Sequence, residues 1–377
     1  GLSDRYKKVK CPTNITKEKC YGCQACRYVC PVKAIKMKED KEGFIYPVYD
    51  KDKCTGCDLC YKICIRRNPR TVNYKEQYPK AYCACNTDRE QSRDSSSGGI
   101  YPALAGYAIN DMQGVAVGVK FDENMKAVAD IAGDMEAAVA FSGSKYVKSS
   151  FSGIFPKVKK LLKEGRFVLY SGLPCECAGL RAYLRKDYPN LLICELICHA
   201  APSPKVFEKY IESLNIKYGS DVRNIVFRDK KDGWRAADSN MVITTKDGRT
   251  HKERLRDNLY YRAFIDHITI RPSCSNCKYT YGKRAGDITI GDCWGADTVA
   301  PELENDRGVS LVLVNNEKGD SVWEEIKGQF RIKESDLKSV FLKNHKKSAE
   351  DNALRTVFFN QLDQEPIEEL LKKYTAE

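Results

Sequence analysis

Downstream of about residue 75, short β-rich runs alternate with stretches whose apolar residues recur at helix spacing, a pattern that predicts an α/β architecture. Ile100, Leu104, Tyr107 and Ala108 share one helix face, and residues 115–119 read as the strand that follows. Residues 166–170 are a second β-rich run, after which Ser171, Gly172, Leu173, Pro174 and Cys175 lead into a helix carrying Leu180, Tyr183 and Leu184. The apolar run 191–197 ends at Cys198, His199, Ala200, Ala201, Pro202, Ser203 and Pro204, repeating the β-loop-α order. In such a sheet the loops at the carboxyl ends of parallel strands gather along one edge, so Cys175 and Cys198 are expected to be neighbours. A helical stretch at 259–267 precedes Cys274 and Cys277, and these four cysteines together can close one site. Upstream, residues 34–37 and 44–48 alternate like two short strands around the polar turn 39–43. Residues 349–362 read as a helical tail docked on the body or on a second subunit.

A chain of 377 residues suits two or three domains. Apolar residues make up 42% and charged residues 30%, and no apolar run approaches the ~18 residues of a bilayer span. No membrane span is expected, and without a visible secretory h-region the expected location is cytoplasmic. Eighteen cysteines would suit a disulfide framework in a short secreted domain, but many of these stand three apart, in the spacing of metal ligands.

The sharpest pattern is Cys20, Cys23, Cys26 and Cys30 before Pro31, repeated 34 positions later as Cys54, Cys57, Cys60 and Cys64. In the two-cluster ferredoxin pattern the first three cysteines of a run wrap one cluster and the fourth ligates the other. That assigns Cys20, Cys23, Cys26 and Cys64 to one 4Fe-4S cluster and Cys54, Cys57, Cys60 and Cys30 to the second. The competing reading, a pair of zinc sites, normally needs two CxxC pairs per ion and leaves the longer run unexplained. The segment resembles the bacterial dicluster ferredoxin domain, with Ile65 where its second proline is expected. Cys11 falls outside the pattern and reads as a buried or free thiol.

Further along, Ser95, Ser96, Ser97, Gly98 and Gly99 precede a helix. Such a loop can present N–H groups to a phosphate, or be a flexible loop with an ordinary N-cap.

The order of motifs resembles the coenzyme F420 hydrogenase/dehydrogenase beta-subunit family, in its form with a fused dicluster ferredoxin. The resemblance rests on Ser97-Gly98-Gly99, Gly143 to Val147, Gly172-Leu173-Pro174-Cys175 with Ala178-Gly179-Leu180, Cys198-His199 with Pro202-Ser203-Pro204, Cys274 with Cys277, and Gly286 to Gly295. It implies an α+β dicluster ferredoxin-like module fused to an α/β flavin- and iron-sulfur-binding body. Cys175, Cys198, Cys274 and Cys277 become ligands of a third 4Fe-4S cluster, with structural zinc or plain thiols as the alternatives. Ser97, Gly98, Gly99, Lys145, Tyr146 and Ser149 become FAD contacts. Leu173, Glu176 and Ala200 depart from the family's usual threonine, glutamine and glycine. Cys83, Cys85, Cys177, Cys194 and Cys293 do not match its motif and read as small buried residues.

On this reading His199 donates a proton to reduced substrate or shapes the cysteine loop through a hydrogen bond. Lys62, Arg66, Arg67 and Arg70 attract an acidic ferredoxin or flavodoxin, or form an ordinary solvated face. The net charge of +12 would point to nucleic acid on its own, but three clusters and a dianionic flavin reduce it to about +4, and no nucleic-acid motif accompanies it. The expected organisation is a dicluster module at 1–74, α/β segments at 75–164 and 165–335, and a tail at 336–377. The expected function is transfer of electrons from a low-potential carrier (ferredoxin, flavodoxin or coenzyme F420) through 4Fe-4S clusters to FAD, for two-electron reduction of a small organic substrate. Surface-polysaccharide metabolism is one setting the family suggests. The rival is a non-catalytic electron-transfer subunit of a larger complex. Homo-oligomerisation is left open.

Overall fold

A computed structural model describes residues 15–375; Cys11 lies outside them. In the amino-terminal module β1 (Ile35–Glu39) and β2 (Ile45–Tyr49) form an antiparallel hairpin, with Ile35 opposite Tyr49. Its turn is fixed by Asp40, whose Oδ1 accepts from Glu42 N at 3.0 Å and Phe44 N at 3.1 Å. The sequence repeat is also a backbone repeat. Gly22 and Gly56 have φ of 66° and 71°, and Gln24 and Asp58 have φ of 60° and 58°. Each cysteine run therefore curls tightly before entering its short helix, Ala25–Val29 or Leu59–Lys62.

The body is built on one eight-stranded mixed sheet. Its strands are β3 (Lys80–Asn86), β4 (Val115–Phe121), β5 (Ala127–Ala132), β6 (Val168–Gly172), β7 (Leu191–Leu196), β11 (Ile288–Asp292), β12 (Ser310–Val314) and β13 (Phe330–Ser335), in the order β13-β3-β12-β11-β7-β6-β4-β5. Four adjacent strands, β11, β7, β6 and β4, run parallel. They are covered on both faces, which is why they read as almost continuous apolar runs. Leu169 and Leu192 face a layer containing Leu104 and Trp323, while Val168 and Ile193 face Phe155 and Val158. Because β3 pairs with both β12 and β13, the sheet runs unbroken across the division expected at residue 164.

A second core lies under a three-stranded antiparallel sheet of β8 (Val222–Asp229), β9 (Asn240–Thr245) and β10 (Thr250–Arg254). The helix Pro204–Tyr218 packs there. Proline sits in its first turn, the Ser203 side chain accepts from Val206 N, and Gly219 ends it at φ 63°. The tail helices Leu354–Gln361 and Ile367–Thr375 close the same core through Phe358, Leu370 and Leu371. Among the described residues no helix is long and apolar enough to cross a membrane.

Candidate metal centres

The fourth cysteine of each run crosses to the other run's hollow. Cys20, Cys23, Cys26 and Cys64 line one, walled by Ile15, Met37, Pro47 and Ile65. Cys30, Cys54, Cys57 and Cys60 line another, walled by Val32, Ile35 and Tyr49. The inner set is buried at Cys20 and Cys26, whereas Cys57 of the outer set is exposed.

The donor chemistry fits 4Fe-4S clusters. Burial pushes the Cys23 thiol up to about 12, and the nearby Cys64 and Cys20 add to the shift; Cys26 is raised by burial and then by Cys23, Cys20 and Cys64. Buried sulfurs packed this closely ionise together only around a cationic core. Backbone N–H groups are already aimed at sulfur, as at Cys30 Sγ, which accepts from Ala34 N at 3.2 Å, an arrangement that tunes cluster potential. Among the described residues no three His, Cys, Asp or Glu side chains are arranged to hold a single ion.

In the body, β6 and β7 pair in parallel with Gly172 beside Glu195, so Cys175 and Cys198 leave the same sheet edge. The turn Pro272–Asn276 contains Cys274 and is followed directly by Cys277. Burial raises the Cys198 thiol first, then Cys274, Cys175 and Cys277 in turn, so the four form one electrostatic set. Lys148, paired with Glu176 in a buried ion pair, opposes these shifts at Cys175 and Cys274.

The inner set and the body set adjoin. Gly179 lies on the helix Pro174–Leu184, and a Cβ there would meet Cys23 Cβ at 2.9 Å and Sγ at 3.5 Å. The Tyr21 hydroxyl accepts from Lys278 N at 3.0 Å and donates to Asn276 O at 3.5 Å, and its ring meets Tyr279 at 5.7 Å. Arg271 Nε donates to Cys20 O at 2.8 Å.

The residues assigned to FAD fall on two loops that meet. Ser144 donates from N and Oγ to Ser96 Oγ at 2.7 and 2.9 Å, and Ser149 Oγ donates to Glu176 Oε1 at 3.4 Å, beside Cys175. Lys145 Nζ donates to the carbonyls of Ser142 and Gly143 at 3.0 and 3.1 Å, and burial pulls it down to about 8. Tyr146 stands in an aromatic group with Phe227, Tyr261 and Phe264. Ser97 Oγ donates to Val309 O at 3.0 Å, and Gly98 N to Ser310 Oγ at 2.8 Å. Those groups are therefore engaged within the fold. Gly99 adopts φ 79° ahead of a helix of seven residues, Ile100–Gly106.

Sequence reasoning missed the polar group beneath these loops. Arg228 donates to Asp292 Oδ2 and Trp234 O, each at 2.7 Å, and lies over the Trp294 ring at 5.0 Å. Lys230 Nζ donates to the carbonyls of Ser92, Ser97 and Arg307. Arg228 Nε, Asp292 Oδ1 and Arg307 Nη1 are buried without a hydrogen-bond partner, the condition expected of a polar ligand's surroundings. Two buried cations at the end of β8, Arg228 on the strand and Lys230 just after it, were the available signal.

His199 meets two other histidines: its Nε2 stands 3.0 Å from His267 Nε2, and the His345 ring lies at 4.6 Å. Burial, then His345 and His267, push it down to about 4. Cys83, Cys85, Cys177, Cys194 and Cys293 are all buried. Of the four basic residues after the second run, Lys62, Arg67 and Arg70 are exposed, but Arg66 donates to the Tyr21 hydroxyl at 3.2 Å and to Asn276 O. It belongs to the junction and not to a free basic face.

Comparison with known proteins places two family models on the chain. Residues 165–340 match the family described as the C terminus of the coenzyme F420 hydrogenase/dehydrogenase beta subunit, and residues 19–68 match the 4Fe-4S dicluster domain. Among solved structures, a chain of the xenon-derivatised F420-reducing NiFe hydrogenase complex from Methanosarcina barkeri aligns at 19% identity and a TM-score of 0.48, covering 81% of this chain and 92% of that one. No curated protein matches.

Proposed function

We infer that this chain, in which a 4Fe-4S dicluster domain precedes the C-terminal region of the coenzyme F420 hydrogenase/dehydrogenase beta-subunit family, is an iron-sulfur electron relay that serves a flavin reaction centre in its body. The observation that carries this is the contiguity of the thiol sets: Cys57 of the outer set is exposed, and Cys23 of the inner set packs on Gly179 of the helix that also bears Cys175. When bound, the clusters supply one-electron exchange, and FAD supplies its conversion to two-electron reduction of a small organic substrate.

The protein's own residues hold and orient these groups. Cys20, Cys23, Cys26 and Cys64, then Cys30, Cys54, Cys57 and Cys60, then Cys175, Cys198, Cys274 and Cys277 are the thiolate donors. The Ser96–Ser144 seam and Lys145 receive the anionic end of FAD. Ser149 and the Lys148–Glu176 pair flank the body thiols, and His199 fixes the Cys198 loop. The exposed Lys62, Arg67 and Arg70 face an acidic ferredoxin or flavodoxin, and reduced coenzyme F420 is the alternative carrier.

A second reading has its own observation. Ser97 and Gly98 already bond to Val309 and Ser310, which suits a non-catalytic subunit that passes electrons to a partner. Anaerobically purified protein tests both readings. Three clusters require about twelve iron atoms per chain; recovery of about eight removes the body cluster. Released FAD and single-chain turnover with a chemical donor support the enzyme. Stable co-purification with a catalytic partner, without flavin, supports the relay role alone.

A further inference from the structure

Two cysteines outside the three sets face each other in the core of the body. Strand β3 places Cys83 opposite Leu311 of β12. Cys293 directly follows β11, where its N–H donates to Val309 O at 2.9 Å. The two Sγ atoms stand 3.1 Å apart, and both residues are fully buried among Ala81, Leu311 and Phe341. A disulfide needs about 2.05 Å, so closure asks for roughly 1 Å of side-chain movement.

We propose that Cys83 and Cys293 form a redox-active dithiol pair, a two-electron site within the sheet core that closes to a disulfide when a small peroxide reaches it. One sulfur attacks a peroxide oxygen and breaks the O–O bond, giving a sulfenic acid and one water. The second sulfur displaces the sulfenic hydroxyl, which leaves with the second thiol's proton as another water. Two S–H bonds and one O–O bond are exchanged for one S–S bond and two waters. Complete burial excludes bulky disulfide oxidants and selects one the size of hydrogen peroxide. Either thiol can make the first attack, because either sulfur can donate to the other across the 3.1 Å contact.

The pair bears on the polar group beneath the proposed flavin loops. Cys293 lies between Asp292, which holds Arg228, and Trp294, which stacks on Trp234 at 5.2 Å. Closure ties that segment to β3. Cys85, two residues along the same strand and in the same core, is the internal control.

The test is to treat the iron-loaded protein anaerobically with a slight excess of hydrogen peroxide, alkylate it, and map its peptides by mass spectrometry. A linked peptide pair bearing Cys83 and Cys293 is expected while the visible cluster absorbance persists, with two fewer alkylatable thiols per chain and reversal by dithiothreitol. Cys83→Ser and Cys293→Ser should each abolish the link, and Cys85→Ser should retain it. Failure of the link to form before the clusters bleach overturns the proposal, as does linkage through Cys85.

Discussion

If the exposed basic residues beyond the second cysteine run receive an acidic electron carrier, reversing them should slow its approach by a calculable amount. Lys62, Arg67 and Arg70 are the positions to change to Glu, because all three are exposed. Arg66 must stay, since it bonds Tyr21 and Asn276 at the junction between thiol sets. One pair of unit charges about 10 Å apart in water is worth roughly 0.4 kcal/mol, and a reversal doubles that, so three positions give about 2.5 kcal/mol. At very low ionic strength the association rate should fall about 60-fold. At 0.1 M salt the Debye length is about 10 Å, leaving roughly a third of the effect, or about fivefold, and at 1 M almost nothing remains. Stopped-flow reduction of the visible clusters by an acidic ferredoxin reads this directly, with a small neutral dye as the second donor. Equal slowing with both donors, or slowing that ignores salt, would refute docking at this face.

Three other outcomes follow from the geometry. Gly179→Val should drive a side chain into Cys23, whose Cβ would stand 2.9 Å from the new Cβ, costing about 1–3 kcal/mol and lowering iron retention; unchanged iron content and unfolding midpoint would show that the contact yields. Arg284→Met should cost about 3–5 kcal/mol in denaturant unfolding, because it strips the cation 2.9 Å from the wholly buried Glu195, and adding Glu195→Gln should recover part of the loss. Lys145 is held at about 8 by burial, so an anionic flavin that requires its ammonium form should bind with constant affinity below that pH and progressively more weakly above it, as binding must then take up a proton. A fluorescence titration should show that dependence vanish in Lys145→Met.

What the sequence made legible and what it hid divide along the range of the interactions. The curl of each cysteine run is local, set by Gly22, Gln24, Gly56 and Asp58, and the exchange of fourth ligands follows from two runs lying side by side. Strands β6 and β7 were legible because burial on both faces leaves an unbroken apolar run. Three-dimensional partners were not. Arg228 and Asp292 are 64 residues apart, and the three histidines that meet come from the β7 edge, the end of a helix and the start of the tail segment. Ser97 and Gly98 read as free loop donors because nothing near them in sequence announces Ser310, which bonds them from over 200 residues away. Nothing in the sequence announced that β3 inserts between β12 and β13, strands from the end of the chain, because strand order is not written in any local pattern.

The same long-range contacts decide how the amino-terminal module works. A ferredoxin on a flexible linker would exchange electrons by diffusion within its tether, and its faces would be wet. Here Gly43 packs so closely on the helix Pro204–Tyr218 that a Cβ would come within 2.5 Å of Lys205 Cβ and 2.8 Å of its backbone nitrogen. Phe44 enters the second core and meets Phe359 of the tail at 6.4 Å, while Glu42 pairs with Arg355 on the same tail helix. Arg271, only 2% exposed, bonds Cys20 O and Ile45 O, and its guanidinium lies 4.4 Å from the Tyr46 ring centroid. It also begins the loop that carries Cys274 and Cys277, so one residue sets the spacing of the inner and body thiols. The gap between those sets is therefore a fixed feature of the packed fold. If the module relays electrons as proposed, the outer set at exposed Cys57 is the end where a mobile carrier gains access, and association there is the step that solution conditions regulate.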